Sequence, residues 1–461
     1  MVVLYTKKGF FCIHMDHRYT KGSEPGMRIT MICIGSTGDV RPYIVLGREL
    51  KRRGHDVKIA AFDTFEEAVK REGMRFHPIS GDVRDFMATI MSKGVNGVAF
   101  LKQVRNSLVD IIDPFLEDLE AACDDAEALI ATFFGQIFHS LAEVRHIPYI
   151  QTHYYPMDQN KTAPIAAAPG QRVGKAWNNM TYPLGYLLIS LMEKYYLSDW
   201  RKARGMAPRK LQRRPNYELN GHTVPVLYAM SPLLMPRPVD WSANIHMTGF
   251  WLDDQAALDY EPEPGLQEFL DAGEPPVYIG FGSMVSDDMG ETLNIVLEAI
   301  RRSGVRAIMA KGWGGMDIPD TPNVYKAGFV PHDWLFSKVS AVVHHGGAGT
   351  TAAGILAGKP TLVIPFGGDQ PFWGERVRLL GVGPKPIPRE RLTVRRMTNA
   401  LNLLVGNKSY QVAAKELGQR LKNEDGAICA VDVIEHELRK WLRQEGRTPV
   451  LVETPQHSAE A

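Results

Sequence analysis

Short apolar runs, each closed by glycine or a hydroxyl residue, recur along this chain and alternate with stretches of helical period. Met27–Ile34 reads as a buried strand, Gly35–Asp39 as a loop, Pro42–Arg53 as a helix ended at Gly54, and His55–Ala61 as the next strand. Ala128–Thr132 and Pro148–Gln151 read as further strands, with a helix around Phe138–Arg145 between them. Residues 156–215 lose the rhythm and carry proline, glycine, aromatic and many basic residues. It restarts at Val226–Met230. A connector rich in proline and acid follows (Asp253–Pro276), and then the strands Pro276–Phe281, Arg306–Lys311, Asn323–Ala327, Val339–Val343 and Thr361–Ile364, with a helix at Glu291–Ser303. Alternation of this kind predicts an α/β chain with doubly wound sheets. Such sheets bind ligands outside the carboxyl ends of their strands. Val431–Gln444 has helical spacing of apolar and charged residues.

Composition narrows the partners. The 461 residues include 53 basic and 52 acidic ones, so no overall basic field draws nucleic acid. The 4 cysteines, Cys12, Cys33, Cys123 and Cys429, lack metal-ligand spacing and fit free thiols in a reducing, cytoplasmic compartment. No segment reaches the length and apolarity of a membrane span; Tyr182–Leu197 comes nearest and is cut by Glu193 and Lys194. Residues 1–26 lack a signal-peptide pattern and are expected outside the fold, as is a polar tail over 447–461.

The densest chemistry lies in His344-His345-Gly346-Gly347-Ala348-Gly349-Thr350-Thr351-Ala352-Ala353-Gly354, continued by Pro365-Phe366-Gly367-Gly368-Asp369-Gln370-Pro371-Phe372-Trp373. A strand, a glycine turn and a helix start make an anion site, because free N–H groups and the positive end of the helix dipole face one point. Taken alone, such a turn is as often just a helix start. These residues resemble the nucleotide-sugar signature of family 1 glycosyltransferases, and within them the sterol 3-β-glucosyltransferase branch. The resemblance covers roughly 27–445. It implies a GT-B fold, with two Rossmann-like domains facing across a cleft: an acceptor-binding domain over 27–230, a nucleotide-sugar domain over 231–425, and a helix over 426–446 packing back on the first domain.

The resemblance also assigns roles. Ser283, His345, Gly347, Gly349 and Thr350 would hold the donor diphosphate. Phe329 would stack on the base, with Val330 reading its edge and Trp313 bordering it. Asp369 and Gln370 would read the sugar hydroxyls, a carboxylate accepting and an amide doing both; capping of the following helix by Asp369 is the structural alternative. Ala353 stands where plant-type relatives carry a ribose-holding Glu, so uridine and thymidine diphosphate donors both stay open.

In the acceptor half, Gly35-Ser36-Thr37-Gly38-Asp39-Val40-Arg41-Pro42 sits at the first strand end. Attack by an alcohol needs a base to take its proton. Many relatives use a His where this chain has Thr37, so Asp39 is the expected base, with helix capping as the alternative or a second role. His153 is the second catalytic candidate. Thr37, His139, Tyr154 and Trp177 are expected to line the acceptor pocket. No D-x-D triplet occurs, so no metal is expected and the UDP-sugar is the one cofactor-like partner. An apolar helix around Tyr182–Ile189 beside Arg201–Arg214 reads either as core packing or as a peripheral contact with anionic lipid. The resulting expectation is inverting transfer of a hexose, most simply glucose, to an apolar hydroxyl acceptor. An epimerase and a non-catalytic nucleotide-sugar-binding protein are the other readings.

Overall fold

The computed structural model describes residues 26–81, 112–132, 137–165, 168, 174–252, 260–282, 289–310, 318–321 and 323–447. Ser283, Trp313, residues 1–25 and the tail from 448 lie outside the described residues.

The first sheet is parallel and seven-stranded, in the order β3-β2-β1-β4-β5-β8-β9. Its strands are β1 (Arg28–Ile32), β2 (Asp56–Phe62), β3 (Arg75–Ile79), β4 (Ala128–Thr132), β5 (Tyr149–His153), β8 (Val226–Tyr228) and β9 (Ile245–Met247). The central strands, buried on both faces, read as continuous apolar runs (ALIAT in β4), while the edge strand β3 (RFHPI) mixes polar and apolar residues and is only partly buried. The last strand, β9, lies beyond residue 230, where the sequence reading closes this domain; three residues are too short a run to stand out. A small hairpin of β6 (Glu218–Leu219) and β7 (His222–Thr223) precedes β8. The second sheet is also parallel, in the order β12-β11-β10-β13-β14, from β10 (Val277–Gly280), β11 (Ala307–Ala310), β12 (Val324–Ala327), β13 (Ala341–His344) and β14 (Thr361–Val363).

The helices of the first half are α1 (Thr37–Arg52), α2 (Glu66–Arg71), α3 (Ile112–Ala122), α4 (Ile137–Arg145) and α5 (Lys175–Ala203). Those that follow are α6 (Pro264–Asp271), α7 (Met289–Ser303), α8 (His332–Phe336), α9 (Ala348–Leu356), α10 (Gln370–Leu379), α11 (Val394–Gly406), α12 (Lys408–Leu421) and α13 (Gly426–Gln444).

Two helices depart from expectation. Helix α1 starts at Thr37, well before Pro42, because a capping box closes its first turn: Gly38 N–H donates to the Ser36 hydroxyl, and Ser36 N–H donates to the Asp39 carboxylate. Pro42 sits inside the helix, where its missing N–H forfeits one bond. The irregular segment 156–215 contains the long helix α5, despite Pro183. Its inner face buries Tyr182 and Tyr186 with Met157 and Ile165.

Helix α13 crosses to the first half. Val431, Ile434, Leu438 and Trp441 join the core around β1 and α1. Arg53, after the last turn of α1, bonds Asp432 at 2.8 Å and Glu435 at 3.2 Å. Both sheets point their carboxyl ends toward one cleft, where the N-terminus of α1 meets that of α9. Ala348, the first residue of α9, packs against the core of the first half.

Candidate active site

Asp39 stands at the mouth of the first sheet, held by its own helix start. Its Oδ2 accepts from Ser36 N–H at 2.7 Å and from the Ser36 hydroxyl at 3.1 Å. Gly35, at φ 146, makes room, since a Cβ there would lie 2.3 Å from that oxygen. Tyr154 donates its hydroxyl to the Asp39 carbonyl at 2.9 Å and packs edge-on to Tyr43 and Trp251. Burial raises the Asp39 carboxyl above its ordinary range, against the two bonds from Ser36 that favour the anion. Thr37 lies half-buried in the same turn.

Opposite it stands the glycine turn of the second sheet. The strand β13 ends in His344, whose Nδ1 accepts from Gly346 N–H at 2.9 Å. That bond fixes the turn, and Gly346 takes φ 102 to make it. His345 then lies between two glycines: a Cβ on Gly282 would come 2.9 Å from its ring, and one on Gly347 2.7 Å. Burial lowers the His345 ring to about 4, so it is neutral near pH 7. Its Nδ1 is buried without a hydrogen-bond partner. Gly347 precedes α9 with no side-chain cap, so the N–H groups of Ala348, Gly349 and Thr350 are left for a ligand. Thr351 turns away and donates to the Gly347 carbonyl.

Asp369 stands at the N-cap position of α10 but makes no capping bond. Its Oδ2 accepts from the Trp373 indole at 2.9 Å. Burial, with the charge of Asp39 across the cleft as a further contribution, pushes its carboxyl up to about 7. Gln370 is buried, and its carbonyl accepts from Phe366 and Gly367 N–H at 2.7 and 3.2 Å, so it shapes the loop beside Asp369. Phe329 is 76% exposed just past β12, with Val330 half-buried beside it.

The remaining expectations divide. His153 ends β5 with its Nε2 2.8 Å from the Gln151 amide and its ring against Tyr228, and burial drives it down to about 3. A ring so weakly basic is a poor proton acceptor, and Asp39 is the better placed group. His139 lies in the first turn of α4. It packs on Tyr149 at the start of β5 and bonds the Glu218 carbonyl and Arg209. Trp177 is half-buried in the first turns of α5.

Tyr155, beside Tyr154, packs against the core of the first half and against the cluster that holds Tyr228 and Trp373. One contributor was not read from the sequence: Arg41 reaches from α1 to Phe329. Among the described residues no group of His, Cys, Asp and Glu is arranged to hold a metal ion, and no helix is long and apolar enough to cross a membrane.

Comparison with known proteins agrees with this geometry. Residues 29–164 match the glycosyltransferase family 28 N-terminal domain, and residues 309–428 the erythromycin biosynthesis protein CIII-like C-terminal domain. The chain is 34% identical to sterol 3-beta-glucosyltransferase UGT80B1 of Arabidopsis thaliana, over 90% of this chain and 69% of that protein. It is 36% identical to a sterol 3-beta-glucosyltransferase of Emericella nidulans, over 91% of this chain but 30% of that one. The chain thus spans under a third of the fungal relative and about two thirds of the plant one. The glycotransferase of kitacinnamycin has the same fold, with a TM-score of 0.66 over 90% of this chain and 100% of that one, at 19% identity.

Proposed function

Since this chain belongs to the sterol 3-beta-glucosyltransferase family and has its GT-B fold, we propose that it transfers glucose from UDP-glucose to the hydroxyl of a sterol or similarly apolar acceptor, with inversion. The observation that carries this reading is the meeting of Asp39 with His345, Asp369 and the start of α9 across one cleft.

The geometry supports the following roles. With Oδ2 engaged by Ser36, Oδ1 of Asp39 is the oxygen that takes the acceptor proton. The acceptor oxygen bonds to the anomeric carbon as the bond from that carbon to the diphosphate oxygen breaks, giving a β-glucoside and UDP. Charge growing on the diphosphate falls on the α9 N–H groups, Thr350 and His345. The neutral His345 ring, hydrogen-bonded to the Gly280 backbone, stands beside the start of α9 with its Nδ1 unpaired. Asp369 and Gln370 hold the sugar hydroxyls, Phe329 and Val330 the base. Thr37, Tyr154, Tyr155 and Trp177 border the acceptor. His153 supports the wall beside Tyr228 and does not take the proton. This helix-end chemistry needs no metal.

The test is NMR of the product formed from UDP-glucose and a sterol panel with a chelator present. A β-anomeric signal supports the reading. An α-anomer, or loss of turnover on chelation, contradicts it.

Helix α5 extends the proposal to the source of the acceptor. Its outer face exposes Met180, Leu184 and Leu191 at helical spacing, at 62%, 59% and 44%. Ser190 accepts from Gln212 N–H, bringing exposed Leu211, Lys210, Arg213 and Arg214 alongside. An apolar stripe rimmed by cations suits peripheral docking on anionic lipid. Binding to phosphatidylserine vesicles that survives 0.5 M salt (~3–8 Å screening) and falls in Leu184→Asp is expected. Equal binding by the variant would refute the docking.

A further inference from the structure

The first half reaches toward the donor site through Arg41. Arg41 lies in the second turn of α1, two residues after Asp39. Its guanidinium carbon stands over the Phe329 ring, 5.9 Å from the centroid. Phe329 belongs to the other half and is otherwise largely exposed. The Arg41 charge is also felt by His332, in the helix that follows Phe329, and His332 in turn senses His345. Arg41 therefore overhangs the surface that leads from the base-stacking residue to the phosphate turn.

We propose that Arg41 forms the second wall of the nucleobase slot, so that the donor base is held between Phe329 of one half and the Arg41 guanidinium of the other. This rests on the nucleotide-sugar reading of the site and adds a donor contact from the acceptor half. A planar guanidinium stacks on an aromatic face, and a base between two such planes is a recurring arrangement in nucleotide recognition. A ring in contact with both walls needs a gap of about 7 Å, two contacts of roughly 3.5 Å each. The guanidinium carbon stands 5.9 Å from the ring centroid, near that spacing, and a turn of the long Arg41 side chain adjusts it, while the Phe329 face stays largely exposed. Because the two walls come from different halves, the base ties the halves together, and the same helix start that carries Asp39 is drawn toward the donor. Lysine in place of arginine keeps the charge but not the plane, so it separates stacking from simple attraction to phosphate.

The experiment is calorimetric titration of the full chain with UDP, for wild type, Arg41→Met and Arg41→Lys, with thermal melting as a check on folding. Stacking predicts that Arg41→Met weakens UDP binding about tenfold or more, that Arg41→Lys does not restore it, and that melting is unchanged in both. Full recovery in Arg41→Lys would overturn the stacked slot in favour of a phosphate contact. Unchanged affinity in Arg41→Met would overturn the contact altogether. Wild type that fails to bind UDP would instead overturn the nucleotide-sugar reading beneath it. Variants that melt early and bind poorly in proportion would assign Arg41 a folding role and also overturn the inference.

Discussion

At the scale of single residues the site depends on what is small as much as on what is charged. Gly347 has an ordinary helical φ, −62°, so alanine fits its backbone. The clash of that Cβ is with the His345 ring, at 2.7 Å. Gly347→Ala is therefore expected to fold normally and to weaken UDP binding about tenfold, the scale of one charge-assisted hydrogen bond; calorimetry and melting check the two halves of that statement. Asp39 carries a second prediction. Its carboxyl is raised by burial, so it is protonated, and useless as a base, to a higher pH than an exposed carboxylate. As pH falls, kcat/KM should drop through an apparent pKa above the ordinary value of about 3.9. Asp369, pushed up to about 7, feels the charge of Asp39, so the limb belongs to the pair. A profile flat down to about pH 4 would show that neither raised carboxyl controls turnover.

The elements show why some of this was legible in the chain and some was not. β13 and α9 were read correctly because a continuous apolar run and a glycine turn leave few alternatives. α1 was read as starting at Pro42, because proline at a helix start is the stronger local signal; the Ser36–Asp39 capping box overrides it. That box also explains why base and cap were competing readings of Asp39: one carboxylate oxygen caps, and the other is left over. Of α5 only the apolar stretch around Tyr182–Ile189 was legible; its full span, Lys175–Ala203, was masked by Pro183 and scattered polar residues, since its burial against Met157 and Ile165 is tertiary. The partners of His139, Tyr149, Glu218 and Arg209, meet it only in the fold and are invisible in sequence. α13 offers a test of how far an element stabilises the half it crosses to. Arg53 is 11% exposed and bonds Asp432 and Glu435. Arg53→Ala should lower the stability of that half by about 2 kcal/mol, below the 3–5 of a fully buried pair. The earliest urea transition should move to lower denaturant, and an unmoved midpoint would mean α13 is held by its apolar face alone.

For the whole molecule, function depends on two sheets presenting strand ends to each other. In the proposed reaction neither half is complete: one carries the carboxylate that would remove the proton, the other the amides and His345 that would receive the diphosphate. The alternation of strands and helices announced both sheets. The meeting of Asp39, Tyr155 and Asp369 across the cleft could not be read from it, because residues so far apart in sequence meet only through packing of the halves and the return of α13. Under the proposal, the choice of acceptor would rest with the least regular segment, between β5 and β8, where Tyr182 and Tyr186 of α5 pack with Met157 and Ile165. The most direct test of the account is mass spectrometry of products from UDP-glucose and a mixed sterol panel, wild type beside Asp39→Asn. The account predicts a hexose-shifted sterol for wild type and a loss of at least about a hundredfold in the variant, the typical contribution of a general base, with UDP binding retained. A variant that makes product at the wild-type rate would contradict it.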